Sequence, residues 1–77
     1  METKIVDVIL HLDEDLSHDQ REALRDAMLT HNGVMLATSQ DQKPHLMFVG
    51  YDPDAMSSSN LLEIAKENGV HAQLVGM

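Results

Sequence analysis

Along residues 4–12, KIVDVILHL, apolar side chains fall on alternate positions. Val6, Val8, Leu10 and Leu12 share one parity, while Ile5, Asp7, Ile9 and His11 share the other. Alternation rich in β-branched residues predicts a strand whose wholly apolar parity faces the core. The period then changes. Over 17–31, Leu24, Ala27, Met28 and His31 recur at helical spacing between charged residues, and Asn32-Gly33 follow as a stop. VMLATS (34–39) predicts a second strand and QDQK (40–43) a polar turn. PHLMFVGY (44–51) predicts a third strand, with Pro44 at its first position, where a missing N–H is tolerated. DPDAM forms a loop. A second helix, capped by Ser57 or a neighbouring serine, carries Leu61, Leu62, Ile64 and Ala65 and runs to about Asn68, where Gly69 ends it. VHAQLV (70–75) predicts the last strand.

The order β-α-β-β-α-β is echoed internally. Asn-Gly-Val occurs at 32–34 and again at 68–70, each time where a helix yields to a strand. Right-handed crossovers then give an α+β, ferredoxin-like fold. It is a four-stranded antiparallel sheet of order 4-1-3-2 with both helices on one face, and residues 1–77 form one domain. The other face is left uncovered. Ile5, Ile9 and Val75, with Leu46 and Phe48, would form an apolar patch there, which predicts a homodimer or a protein partner through that open face.

HLDEDLSHDQREAL (11–24) is the densest polar stretch. Asp13, Asp15, Ser17 and Asp19 imitate the start of an EF-hand loop, but its sixth and twelfth positions hold His18 and Leu24 where glycine and glutamate are needed, so calcium is not expected. Ser17-His18-Asp19-Gln20 is instead a capping box, worth about 1 kcal/mol to the helix it opens. Asp19 and Glu22 suit the positive end of the helix dipole. Taken with YDPDAMSSSNLLEIAKENGVHAQLV (51–75) and the Gly33-Val34 pair, the chain resembles the heavy-metal-associated (HMA) domains, the small copper-chaperone-like family, over nearly its whole length. The resemblance implies a metal-binding C-x-x-C, and that motif falls on Ser17 and Gln20. A hydroxyl and a carboxamide cannot replace two thiolates as ligands for soft Cu(I), so the family's copper-transfer chemistry is not expected here.

Composition narrows the choice further. The net charge is −8, and the five basic residues, Lys4, Arg21, Arg25, Lys43 and Lys66, form no stripe. Nucleic acid and anionic membrane, which require a positive footprint, are not expected partners. There is no cysteine for a disulfide or a thiolate site. No apolar run is long enough to span a bilayer, and the N-terminal stretch lacks a signal-peptide cleavage site, so a cytoplasmic protein is expected.

Five histidines remain as candidate chemistry. His11 lies near the end of strand 1, His45 near the start of strand 3 and His71 near the start of strand 4, on either side of strand 1. Neighbouring strands are about 4.8 Å apart, so the three should gather at one end of the sheet. Parity turns His11 and His71 to the open face. His45 turns inward if Val49 and Tyr51 are core residues, or outward if the strand bulges near Pro44. Imidazoles suit zinc, copper(II), nickel or iron, and these three are the candidate metal ligands. His18, at the helix start, reads as a surface residue. The expectation is a non-enzymatic metal-binding protein. A module that has lost metal binding and serves protein interaction is the alternative. A metal-activated water on three histidines is a third, unsupported by any recognisable substrate pocket.

Overall fold

The computed structural model describes residues 4–75. Six elements follow in order: β1 (Val6–Leu12), α1 (His18–Leu29), β2 (Val34–Gln40), β3 (Lys43–Tyr51), α2 (Ser58–Glu67) and β4 (Ala72–Val75). The sheet runs β2-β3-β1-β4 and every pairing is antiparallel. This is the expected order, read from the opposite edge.

The apolar parity of β1 is the buried one. Val8, Leu10 and Leu12 join Met47, Val49 and Tyr51 of β3, Leu24 and Met28 of α1, and Leu61, Ile64 and Ala65 of α2 in a single core. Both helices therefore cover the same face of the sheet. The other face carries the residues of opposite parity, since directly paired antiparallel residues point to the same side. Ile9 sits between Phe48 and Val75, and His11 between Leu46 and Gln73.

The first helix opens as its sequence predicts. The Ser17 hydroxyl accepts from the Gln20 N–H at 3.2 Å, and the Gln20 side chain accepts from the Ser17 N–H at 2.8 Å. The helix closes at Leu29, two residues before the expected end, because Thr30 is its cap and the Thr30 hydroxyl donates to the Ala27 carbonyl at 2.7 Å. Gly33 then adopts φ +104°, and a Cβ there would stand 2.9 Å from the Cβ of Ala55. Only glycine meets both conditions without strain.

The last strand begins two residues later than the pattern suggests. α2 ends in a Schellman motif, with the Gly69 N–H on the Lys66 carbonyl and the Val70 N–H on the Ala65 carbonyl. The next N–H, that of His71, goes to the Glu14 carboxylate at 2.8 Å. Neither donor is left for the sheet ladder, so regular pairing waits until Ala72. At the same end of the sheet, Ser39 pairs with Met47 but Gln40 pairs with Lys43. Pro44, His45 and Leu46 thus bulge out of the β2–β3 ladder.

Candidate metal centre

The β1–α1 connection carries three consecutive acids, and each one faces a different histidine. Asp13 Oδ1 lies 3.5 Å from His11 Nδ1 at the end of β1. Glu14 takes His71 twice, through the backbone N–H at 2.8 Å and through Nδ1 at 2.6 Å. Asp15 Oδ1 lies 3.0 Å from His45 Nε2, in the bulge of β3. The hydrogen bonds from His71 hold the Glu14 carboxyl below the usual carboxylate range. The three acids thus tie three strand ends together.

His45 is fixed a second time. Its Nδ1 lies 2.9 Å from the Leu12 carbonyl oxygen, which can only accept, so Nδ1 carries the hydrogen and Nε2 is the nitrogen turned outward. The bulge also lets the ring stack on His11, with centroids 5.7 Å apart and planes 12° from parallel. The sequence favoured a His11–His71 pair; the structure instead sets His11 against His45 and gives His71 to Glu14. The cause is local. The bulge carries His45 round the end of the sheet, and the Glu14 side chain captures the segment ahead of β4.

These histidines are gathered but not posed as a cage. A metal ion lies in the plane of each imidazole that binds it, along the nitrogen lone pair. Two stacked, nearly parallel rings share no such point, so one must turn before both can hold one ion. Consistently, no group of three or more histidine, aspartate or glutamate side chains among the described residues stands ready around a single ion position. The His11 side chain is 47% exposed, so that ring has room to turn, while His45 is held at both nitrogens.

A fourth pairing lies at the start of α1. His18 Nδ1 sits 2.9 Å from Asp41 Oδ1, in the β2–β3 turn, and Arg21 reaches the same oxygen. Arg21 is buried, with Nη1 donating to the Leu16 carbonyl at 2.9 Å. Sequence reasoning passed over Arg21, although positions 21, 24 and 28 share one helical face. The hydrogen bond that His18 donates to Asp41 raises the His18 pKa above its ordinary 6.5, and the same bond lowers that of Asp41 below 3.8. The sign follows directly. A raised histidine pKa stabilises the fold fully below pH 6.5, and the contribution is lost as pH climbs through the folded value. A lowered aspartate pKa stabilises above pH 3.8, and that contribution is lost as pH falls through the folded value. The pair therefore helps most in the weakly acidic window between them. Both side chains are exposed, so the effect on stability is small. In a proton NMR titration, the His18 imidazole is expected to titrate above 6.5 in the wild type and to move back toward 6.5 in Asp41→Asn. An unmoved midpoint would remove Asp41 as the cause.

Ser17 and Gln20, where the resemblance places the thiolate pair, are both consumed by the helix cap. The overall architecture has close counterparts. Oxidised MerP from Ralstonia metallidurans CH34 superposes with a TM-score of 0.85 at 14% identity, over 95% of this chain and 100% of that one. The N-terminal domain of a potential copper-translocating P-type ATPase from Bacillus subtilis, solved in its Cu(I)-loaded state, gives 0.85 at 18% identity over 95% and 90%. The apo HMA domain of a copper chaperone for superoxide dismutase gives 0.76 at 14% identity over 100% and 74%. The fold is that of the heavy-metal-associated domains. At these identities the likeness extends to the HMA fold alone. No protein-family model and no curated protein matches the sequence. No helix among the described residues of this HMA-fold chain is long and apolar enough to cross a membrane.

Proposed function

We propose that this chain is a non-enzymatic HMA-fold binding protein that takes a transition metal ion through strand histidines instead of cysteines. The ligand pool is His11, His45 and His71, at the end of the sheet where the β1–α1 loop begins. The observation that carries the reading is the stacked His11–His45 pair beside a loop of three acids, in a fold whose solved examples include a Cu(I)-loaded domain. Imidazole accommodates zinc, copper(II), nickel and iron, so the donor set leaves the choice among them open. Calorimetric titration of tag-free protein with Zn(II), Ni(II), Co(II) and Cu(II) tests it. Wild type is expected to bind one ion per chain, with affinity reduced in His11→Ala, His45→Ala and His71→Ala. Equal, weak binding by all four proteins would sink the reading.

The bare sheet face supports a second reading, an interaction module. Ile5, Leu36 and Val75 are 52%, 51% and 40% exposed. Phe48 pairs directly with Ile9, and Leu36 pairs with Gly50, two positions along β3 on the same face. A side chain placed on Gly50 would meet both Ile5 and Leu36, so these too point the same way. Such a patch suits a second copy of the chain or another protein, with sheets stacked about 10 Å apart. The chain's acidity makes nucleic acid or an anionic membrane a poor occupant. Ile9→Lys is expected to shift sedimentation toward monomer while leaving the circular-dichroism spectrum unchanged. Sedimentation identical to wild type would count against this face as a self-association surface. A cytoplasmic location suits a cysteine-free domain of this kind.

A further inference from the structure

We propose that Asp15 and His45 are adjacent ligands of one borderline divalent cation, of the zinc, cobalt, nickel or iron(II) class, with His11 turning to supply a third donor. This deepens the histidine reading above and rests on it. The orientation of His45 is the first argument. Its Nδ1–H is spent on the Leu12 backbone carbonyl at 2.9 Å, so the ring is fixed and the Nε2 lone pair is left to point away from the sheet. Metal-bound histidines characteristically have this arrangement, one ring nitrogen on a carbonyl and the other on the ion.

The second argument is what Nε2 faces. Asp15 Oδ1 stands 3.0 Å away, and a carboxylate oxygen is also an acceptor. Two acceptors hold together at that distance only across a positive bridge, a proton or a cation. Nitrogen and oxygen ligands about 2.0–2.2 Å from zinc at tetrahedral angles are themselves about 3.3–3.6 Å apart. The two atoms, at 3.0 Å, need to part by only a few tenths of an ångström to share an ion. The Asp15 side chain is 95% exposed and can adjust its approach with little resistance.

The third argument is how the loop is held. His71 grips Glu14 at two points, so the residue between Asp13 and Asp15 is anchored to the start of β4. Asp13 is thereby set beside His11 Nδ1 and Asp15 beside His45 Nε2. Glu14 and His71 are positioning residues in this scheme. A set of imidazole and carboxylate donors selects borderline divalent ions over soft Cu(I). The net charge of −8 draws cations toward the whole surface.

The test is titration of the full chain with Co(II) chloride, followed by visible absorption and calorimetry. His45→Asn is the central variant, because the asparagine amide can still donate to the Leu12 carbonyl while the Nε2 ligand is gone. Asp15→Asn removes the charge at nearly constant size, and His31→Asn, beyond the far end of α1, is the control. Wild type and His31→Asn are expected to bind one Co(II) with the same spectrum. His45→Asn should lose the site, and Asp15→Asn should bind about tenfold more weakly or worse. If Asp15→Asn binds as tightly as wild type, or more tightly, while His45→Asn loses the site, the carboxylate is no ligand; this inference then fails and the histidine reading stands. If His45→Asn and Asp15→Asn both match wild type, this inference falls, and with it His45 as a ligand.

Discussion

Leu10→Ala is expected to cost about 2–5 kcal/mol of folding stability, from lost burial plus the cavity left behind. In a domain this small, that corresponds to a fall in melting temperature of roughly 10–30 °C. Leu10 has no exposed surface, and on β1 it is paired with Met47, which is equally buried, and with Leu74 on the other side. With β1 flanked by strands on both sides and covered by the helices, the surroundings have little freedom to collapse into the gap. The adjacent Ile9 is the internal control. It has the opposite parity and lies half-buried on the bare face, so Ile9→Ala should cost about 1 kcal/mol at most. Urea unfolding followed by circular dichroism measures both. Equal losses at positions 9 and 10 would mean that the sheet is not covered on one side only.

That contrast was legible from alternation alone, because one parity of β1 is uniformly apolar and the other is broken by Asp7 and His11. The capping box was legible too, since its two hydrogen bonds join residues three apart and need no distant partner. The element order followed from local periods and glycine stops. The late start of β4 was not legible. It depends on Glu14, 57 positions away, taking the His71 N–H. The placement of His45 was left open for a similar reason. Both parities of PHLMFVGY are apolar, so pattern cannot fix a register that a bulge decides. Topology predicted that histidines would gather at one sheet end. It could not predict that each would take an acid from the adjoining loop, because Asp13, Glu14 and Asp15 look like ordinary solvated residues until the strand ends around them are in place. The same limit applies to Arg21, whose period matched the core face of α1 while its charge argued for solvent.

Arg21 carries the other large expected effect. Arg21→Ala should cost about 2–4 kcal/mol, since it empties a buried volume and leaves the Leu16 carbonyl without its donor. Arg21→Met should stay within about 1 kcal/mol of wild type. Methionine fills much of the same volume, and replacing a buried ionic group by an apolar side chain of similar size is often neutral. The wild-type guanidinium is itself imperfectly served, because its buried Nε has no hydrogen-bond partner. Asp41→Ala should fall between the two, because it leaves a buried cation short of its counter-charge, although Asp41 itself is exposed and the loss is partly made up by water. The expected ranking by urea midpoint is therefore wild type and Arg21→Met together, then Asp41→Ala, then Arg21→Ala. If methionine proves as damaging as alanine, the hydrogen bonds to Leu16 and Asp41 outweigh the volume. The β1–α1 loop and the β2–β3 turn would then be held to the helix by charge. Since Asp15 belongs to that loop, the Co(II) affinity of Arg21→Met reports on the link between the two: unchanged affinity means that Glu14–His71 alone sets the loop, and weakened affinity means that Arg21 shares in holding it.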